Sequence, residues 1–404
     1  MRLPKYGYSR GFDYVKFCPG HELDHTTYKD DPLDPGMRAI DYTSPTMVYN
    51  DRGELIDEAS RALLEEIDCF LRFRQNWRSE EDNYISVVAR EADEWLRNKR
   101  IKNRPFMLWI DSFDPHEPWD PPSVWDGSPC PYDPEYDGNP ILLAPWTPVE
   151  GRITDREAEH VRALYAENIT LVDKQIGKLL DSIRDQGLWD ETMIIITSDH
   201  GQPMGKGEHG HGIMRKCRPW PYEELVHVPL MMHIPGVQGG RRVEALVQNV
   251  DIAPTILDGL GLLEAPKVDS GHGMPTYDAF DMQGQSLLPL ARGEVDKIRD
   301  YALAGYFGMS WSYITEDYSY IHWILKDVSQ REYTSVNNPG KEKMKDDTMW
   351  SCTTGAKQEV PDSDELYDRR QDPFQLNNII KRNPEKAEEL LRELKLAIGE
   401  LRSS

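Results

Sequence analysis

The sequence predicts an α/β protein, a doubly wound sheet with flanking helices, followed by a smaller α+β part with antiparallel strands. Three observations carry that prediction. A long amphipathic helix pattern leads into an apolar strand pattern at Met193–Thr197. A second apolar run, "VPLMMHIPG" at 228–236, leads into the helix pattern "DIAPTILDGLGL", which completes a strand–helix alternation. After about residue 295 the spacing changes to aromatic alternation, as in antiparallel strands sharing one half-buried face. The expected division therefore falls between residues 1–295 and 296–404.

The first 50 residues are rich in Pro, Asp, Gly and Tyr without a period, and read as irregular surface. From Ser79 to about Arg100 a helix is expected, with Tyr84, Val87/Val88, Ala92 and Trp95/Leu96 at three-to-four spacing behind a serine cap. Phe106–Ile110 reads as a short buried strand that ends in a polar, proline-broken loop. Residues 117–150 form a long Pro/Asp/Trp-rich excursion of the kind that often serves as a lid. The strongest helix runs from Asp155 to about Gln186: Thr154-Asp155-Arg156-Glu157 is a capping box, Val161, Leu164, Ile176, Leu179 and Ile183 mark the apolar stripe, and Gly187 stops it. Met193–Thr197 then reads as a buried strand of the parallel type. In "DIAPTILDGLGL" Asp251 caps and Pro254 lies in the first turn. "NPEKAEELLRELKLAIGELR" closes the chain as an amphipathic helix, with Asn383 at its cap and Pro384 opening it.

Charge narrows the partners. With 47 Lys+Arg against 70 Asp+Glu the net charge is −23, a field that repels nucleic acid and anionic membrane surfaces. Five scattered cysteines form no C-x-x-C pair, so neither a zinc ribbon nor a disulfide framework is suggested and a reducing compartment is expected. No apolar run approaches the roughly 18 residues of a membrane span, and the polar start "MRLPKYGYSRGFD" has no signal-peptide core; a cytoplasmic location is the default expectation.

In open α/β sheets, reactive groups gather beyond the carboxyl ends of strands. Two such loops are chemically loaded. One is Asp111-Ser112-Phe113-Asp114-Pro115-His116-Glu117-Pro118, and the other begins with Asp199-His200 and continues through a glycine-rich stretch to Arg215-Lys216. Asp199 and His200 at a strand end suit one divalent ion: the carboxylate fits calcium, magnesium or manganese, and the imidazole draws the preference toward manganese or zinc. A capping Asp beside a solvated His fits the same spacing. Arg215 and Lys216 are candidate partners for an anion, as is His116 through a hydrogen bond; a solvated cation pair and a loop histidine satisfied by Glu117 or backbone are the alternatives.

Taken together, "TSDHG…GEHGHG…RK…YEEL…VPLMMHIPG" resembles the sulfatases of the alkaline phosphatase superfamily. "PFMLWIDSFDPHEPW" looks like that family's substrate-binding histidine loop, and "VQNVDIAPTILDGLGL", "GQSLLPLARGE" and "DELYDRRQDPFQLNNII" resemble its later landmarks in order, from about residue 6 to 400. The resemblance implies an alkaline-phosphatase-like sheet in residues 1–295, N-terminally incomplete, and a C-terminal α+β subdomain in 296–404. It implies Asp199 and His200 as metal ligands, with calcium first and magnesium or manganese as alternatives. His116 and Lys216 would hold the sulfuryl oxygens and leaving group in catalysis. The family's lysine usually falls where Met214 stands, two residues earlier, so Arg215 is a rival for that role; His209 is a further substrate contact. The implied substrate is a small-molecule or carbohydrate sulfate ester.

The family's nucleophile, a formylglycine matured from Cys or Ser in a Cys/Ser-x-Pro-Ser-Arg motif, has no counterpart: Cys18, Cys130 and Cys217 all lack the pattern. The early Asp-Asp metal pair is missing as well. The chain is therefore expected to be a sulfatase without its first strands, leaving room for a homo-oligomer or a complementing N-terminal fragment. The competing expectations are a phosphonate or phosphate ester hydrolase on the same scaffold, and a non-catalytic, sulfatase-derived anion-binding protein.

Overall fold

The longest helix organises the chain. In the computed structural model, which describes residues 9–19, 31–144, 149–216, 220–263, 282–306, 310–324, 361 and 363–403, three main helices precede the first strand. They are α1 (Glu58–Arg74), α2 (Tyr84–Glu94) and α3 (Asp155–Asp185). The capping box at the head of α3 is formed in both directions, Glu157 N–H to Thr154 Oγ1 at 3.2 Å and Thr154 N–H to the Glu157 carboxylate at 2.8 Å. Gly187 (φ 68°) ends it in the left-handed region. Ala158, Val161 and Leu164 of α3 pack with Leu63, Ile67 and Leu71 of α1 in the main core. Ser79 caps a short 3-10 turn, and Asn83 caps α2 itself by accepting from Ile85 N–H at 3.3 Å.

That core takes in segments the sequence pattern assigns to surface. Met47 and Val48, in the irregular N-terminal stretch, are fully buried, and so are Trp119 and Ile141–Ala144 of the proline-rich excursion. Trp119 N–H donates to Leu142 O at 2.8 Å, and Leu142 N–H to Tyr42 O at 3.2 Å. Both ends of the excursion are packed into the core, because its four-residue apolar run has more to gain there than in solvent, while its middle, with Tyr132, stays exposed.

The expected parallel sheet is also corrected. Strand β1 (Ile194–Thr197) pairs with β2 (Leu230–His233) antiparallel, in the register Ile194 to His233 and Thr197 to Leu230. Among its described residues the connection holds a 3-10 turn, Gly207–His209, and a one-turn helix, Glu223–Val226, but no crossover helix, so the chain doubles back beside the strand it left. Phe106–Ile110 is extended but has no ladder partner among the described residues; Met107, Trp109 and Ile110 are exposed. A strand needs a neighbour to bond, and among the described residues this segment has none.

Helix α4 (Ile252–Gly259) carries Pro254 in its first turn as expected, but the Asp251 carboxylate does not cap it. It accepts instead from Gln285 N–H at 2.8 Å and pairs with Arg299. The chain then forms a four-stranded antiparallel sheet in the order β3 (Ala302–Tyr306), β4 (Ser310–Ile314), β5 (Tyr318–Trp323), β6 (Glu365–Asp368). Terminal helix α5 (Pro384–Ser403) covers it, Leu390 and Leu394 packing on Tyr313, Tyr320 and Leu366. No helix of the described residues is long and apolar enough to cross a membrane.

Candidate functional site

The residues after β1 are placed by one close approach. Gly201 N–H donates to Leu225 O at 2.7 Å, and a methyl group at Gly201 would overlap the Glu224 carbonyl oxygen. Only glycine fits there. The glycine stretch beyond closes on itself through a bridge between Gly205 and Ile213, with Gly205 N–H donating to Ile213 O at 2.8 Å. The loop therefore leaves β1, folds over its own end and delivers residues 215 and 216 back beside His200.

Three of the candidate side chains meet. The His116 and His200 rings lie 5.9 Å apart, edge to face, and Lys216 Nζ is 2.9 Å from His200 Nε2. His200 Nδ1 lies 2.7 Å from Gly201 O, which assigns the proton to Nδ1 and leaves the Nε2 lone pair to accept from the lysine ammonium. Asp199 Oδ1 is 3.7 Å from the same nitrogen, on a carboxylate that is 88% exposed. His116 is buried, its Nδ1 2.6 Å from Glu117 O.

Arg215 is occupied elsewhere. Its guanidinium is wholly buried, donating from Nε to Glu117 at 2.6 Å and from its two terminal nitrogens to Glu66 of α1 at 3.3 and 3.2 Å. Burial works to raise the Glu117 carboxyl, yet Arg215 and His116 outweigh it and hold the group below the usual carboxylate range. Burial likewise opposes charge on Arg215, and Glu66 and Glu117 together hold its guanidinium above its ordinary value. Nearby, burial and Asp120 push the Asp114 carboxyl up to about 7. His209 sits at the outer tip of the glycine loop with Nε2 3.7 Å from Glu208. His211 turns away to Glu224 and Gln375.

The Sulfatase family model matches residues 5–262, more than half of the 404. The chain belongs to the sulfatase family. A second model, N-sulphoglucosamine sulphohydrolase, C-terminal, matches residues 207–342. An arylsulfatase of Clostridium perfringens is 28% identical, over 56% of this chain and 48% of its own. An N-acetylglucosamine-6-O-sulfatase of Bacteroides thetaiotaomicron is 29% identical, over 54% of this chain and 31% of its own. The chain thus spans about half or less of the length of these relatives. Among solved structures, the phosphonate monoester hydrolase of Agrobacterium radiobacter superposes with a TM-score of 0.53 at 21% identity, covering 81% of this chain and 62% of that one. The fold is alkaline-phosphatase-like, with the small antiparallel sheet at its C-terminal end.

Members of the family use a divalent metal and a formylglycine, so the donors of this sulfatase chain bear a test. Asp199 and His200 offer one carboxylate and one imidazole nitrogen 3.7 Å apart. Among the described residues no third His, Cys, Asp or Glu joins them. A hard cation such as calcium takes six to eight oxygens. Two donors do not hold it, and the lone pair of His200 that a metal would take is the one now facing Lys216.

Sequence reasoning missed Glu66 entirely and gave Glu117 only a local role. A glutamate inside an amphipathic helix carries no signal that it faces a buried arginine 149 positions away. The signal that was available lay in the buried surroundings of Arg215, flanked by the apolar Ile213-Met214 pair.

Proposed function

We propose that this chain carries the anion-binding part of a sulfate-ester hydrolase, with His116 and Lys216 holding the sulfuryl oxygens and leaving group of a carbohydrate or other small sulfate ester. The observation that carries the reading is the convergence of His116, His200 and Lys216, drawn from the loop after residues 106–110 and the loop after β1 into one cluster. Arg215, fully paired within the protein, is left out of ligand contact. Asp199 and His200 alone do not hold a divalent ion, so elemental analysis of the purified chain should find less than one equivalent of metal, and a full equivalent would show that further donors complete the shell. The net reaction adds water across the ester, R–O–SO3⁻ + H2O giving ROH + HSO4⁻. The nucleophile motif is absent from the 404 residues, so turnover requires a nucleophile from outside them, whereas binding does not.

The test is calorimetry with inorganic sulfate, alongside assays of an aryl sulfate and an aryl phosphonate ester. Lys216→Ala and His116→Ala should each weaken sulfate binding at least tenfold, about 1.4 kcal/mol. Unchanged sulfate affinity in both variants would remove the reading. Faster turnover of the phosphonate than of the sulfate would give the chain to the alternative chemistry.

A further inference from the structure

We propose that the buried Glu66–Arg215–Glu117 network is a positioning clamp that sets the separation of His116 and Lys216. The inference rests on the anion-binding reading above and adds to it the residues that hold the geometry. Each anion-binding candidate is one peptide bond from a clamp member: His116 precedes Glu117, and Lys216 follows Arg215. Nε of Arg215 donates to Glu117 Oε1 at 2.6 Å between side chains that are both fully buried. The other end of the guanidinium forks onto Glu66 of α1, whose helix belongs to the main core. The backbones of the two anion loops are therefore tied to each other and to a helix packed in the main core.

Energetics favour a geometric role over a stabilising one. Desolvating charged groups offsets most of their mutual attraction, and apolar replacements of similar volume are often neutral or better for stability. A planar guanidinium with donors in a fixed fork does what an apolar contact does not: it specifies distance and angle at both ends. Groups that orient metal-binding side chains from behind are typically worth roughly ten- to a hundredfold in metal affinity or activity, and the same scale is expected for an anion.

The experiment uses the full chain, inorganic sulfate as the probe, and melting temperature as a parallel readout. The double variant Glu117→Gln/Arg215→Met removes the buried pair without leaving a buried charge alone, since Glu66 is 22% exposed and reaches solvent. It should melt close to the parent while sulfate affinity falls roughly ten- to a hundredfold. Arg215→Lys keeps the charge but not the fork, and should fall between the two. Parent-like sulfate affinity in the folded double variant overturns the clamp. So does loss of folding in both variants, because the network would then hold the chain together and not the site. If His116→Ala and Lys216→Ala leave sulfate binding unchanged, the anion-binding reading fails first, and that outcome is separate from the other two.

Discussion

Two regions of the molecule bury a glutamate, and they treat it in opposite ways. At the anion loops, Glu117 meets a guanidinium and stays charged, its carboxyl held below the usual range despite burial. At the junction with the C-terminal sheet, Glu365 is hydrogen-bonded by neutral donors, Tyr222 Oη at 3.2 Å, Tyr367 Oη at 3.1 Å and Trp323 Nε1 at 3.2 Å. Burial there outweighs those hydrogen bonds and the weaker pull of His211, and pushes its carboxyl up. The lesson is that neutral hydrogen bonds and a cation that does not bond the group leave a buried carboxylate raised, whereas a directly bonded guanidinium keeps it ionised. The two also carry opposite pH slopes. Glu117 contributes stability above its unfolded value near 4.5 that is lost as pH falls through the lower folded value. Glu365 contributes stability below 4.5 that is lost as pH rises through the higher folded value.

The largest expected effect lies on the charged side. Arg215→Met alone leaves Glu117 buried with only the His116 ring, 3.5 Å away, to balance it, and breaking a buried pair in this way costs about 3–5 kcal/mol. Urea denaturation at pH 7 measures it. A cost below about 1 kcal/mol would mean Glu117 finds solvent or a proton easily, and the contrast with Glu365 would collapse. Adding Glu117→Gln to the same background should restore most of the loss, because the double variant removes the uncompensated charge.

How much of this could be seen in the sequence depends on the range of the interaction. The capping box at Thr154, the stop at Gly187 and the opening of α5 at Pro384 were legible because each is decided within a few residues. Asp199-His200 and His116 stood out as candidates because acidic and imidazole groups at strand exits have few structural reasons to be there. The direction of β2 was misread since apolar runs announce burial, not orientation. The strand expected at Phe106–Ile110 failed for the related reason that a ladder depends on a partner no local pattern names. Arg215 looked like an anion ligand by its place beside Lys216, and only three-dimensional packing shows it already spent on Glu66 and Glu117. Cys217 and Cys352 lie outside the described residues.

A third group links the two regions and sharpens the comparison. His211 of the glycine loop lies 2.6 Å from a Glu224 oxygen through Nδ1 and 2.9 Å from Gln375 O through Nε2. Both partners are acceptors, an arrangement that favours a ring protonated at both nitrogens, and the ring stacks on Tyr222 at 3.6 Å. Burial opposes that charge, but Glu224 prevails and raises the group above its usual 6.5. A raised value contributes stability that is present below 6.5 and lost as pH climbs through the folded value. His211→Phe keeps the stacking and removes both donors. It should cost about 2 kcal/mol at pH 5.5 and clearly less at pH 9, read by urea denaturation at both. An equal cost at the two pH values would show that the ring is neutral, and the link between the regions would then be a matter of packing.

The smallest effect belongs to Glu365. Glutamine at that position keeps the size and one acceptor oxygen for the tyrosine and indole donors, and gives up only a charge that burial already disfavours. The expected cost is about 1 kcal/mol near pH 5, the order of one neutral hydrogen bond. As pH rises the parent acquires the buried charge and the variant does not, so the gap in melting temperature between them should narrow toward pH 8. Removing Glu117's charge must do the reverse: below pH 4.5 its loss matters less, since the unfolded parent takes up the proton there while the folded state still holds the carboxylate. A Glu365→Gln gap that widens with pH would place Glu365 with Glu117 as a charge the fold holds ionised. His211, whose charge already draws on Glu365, would then be the first cation to examine as the source.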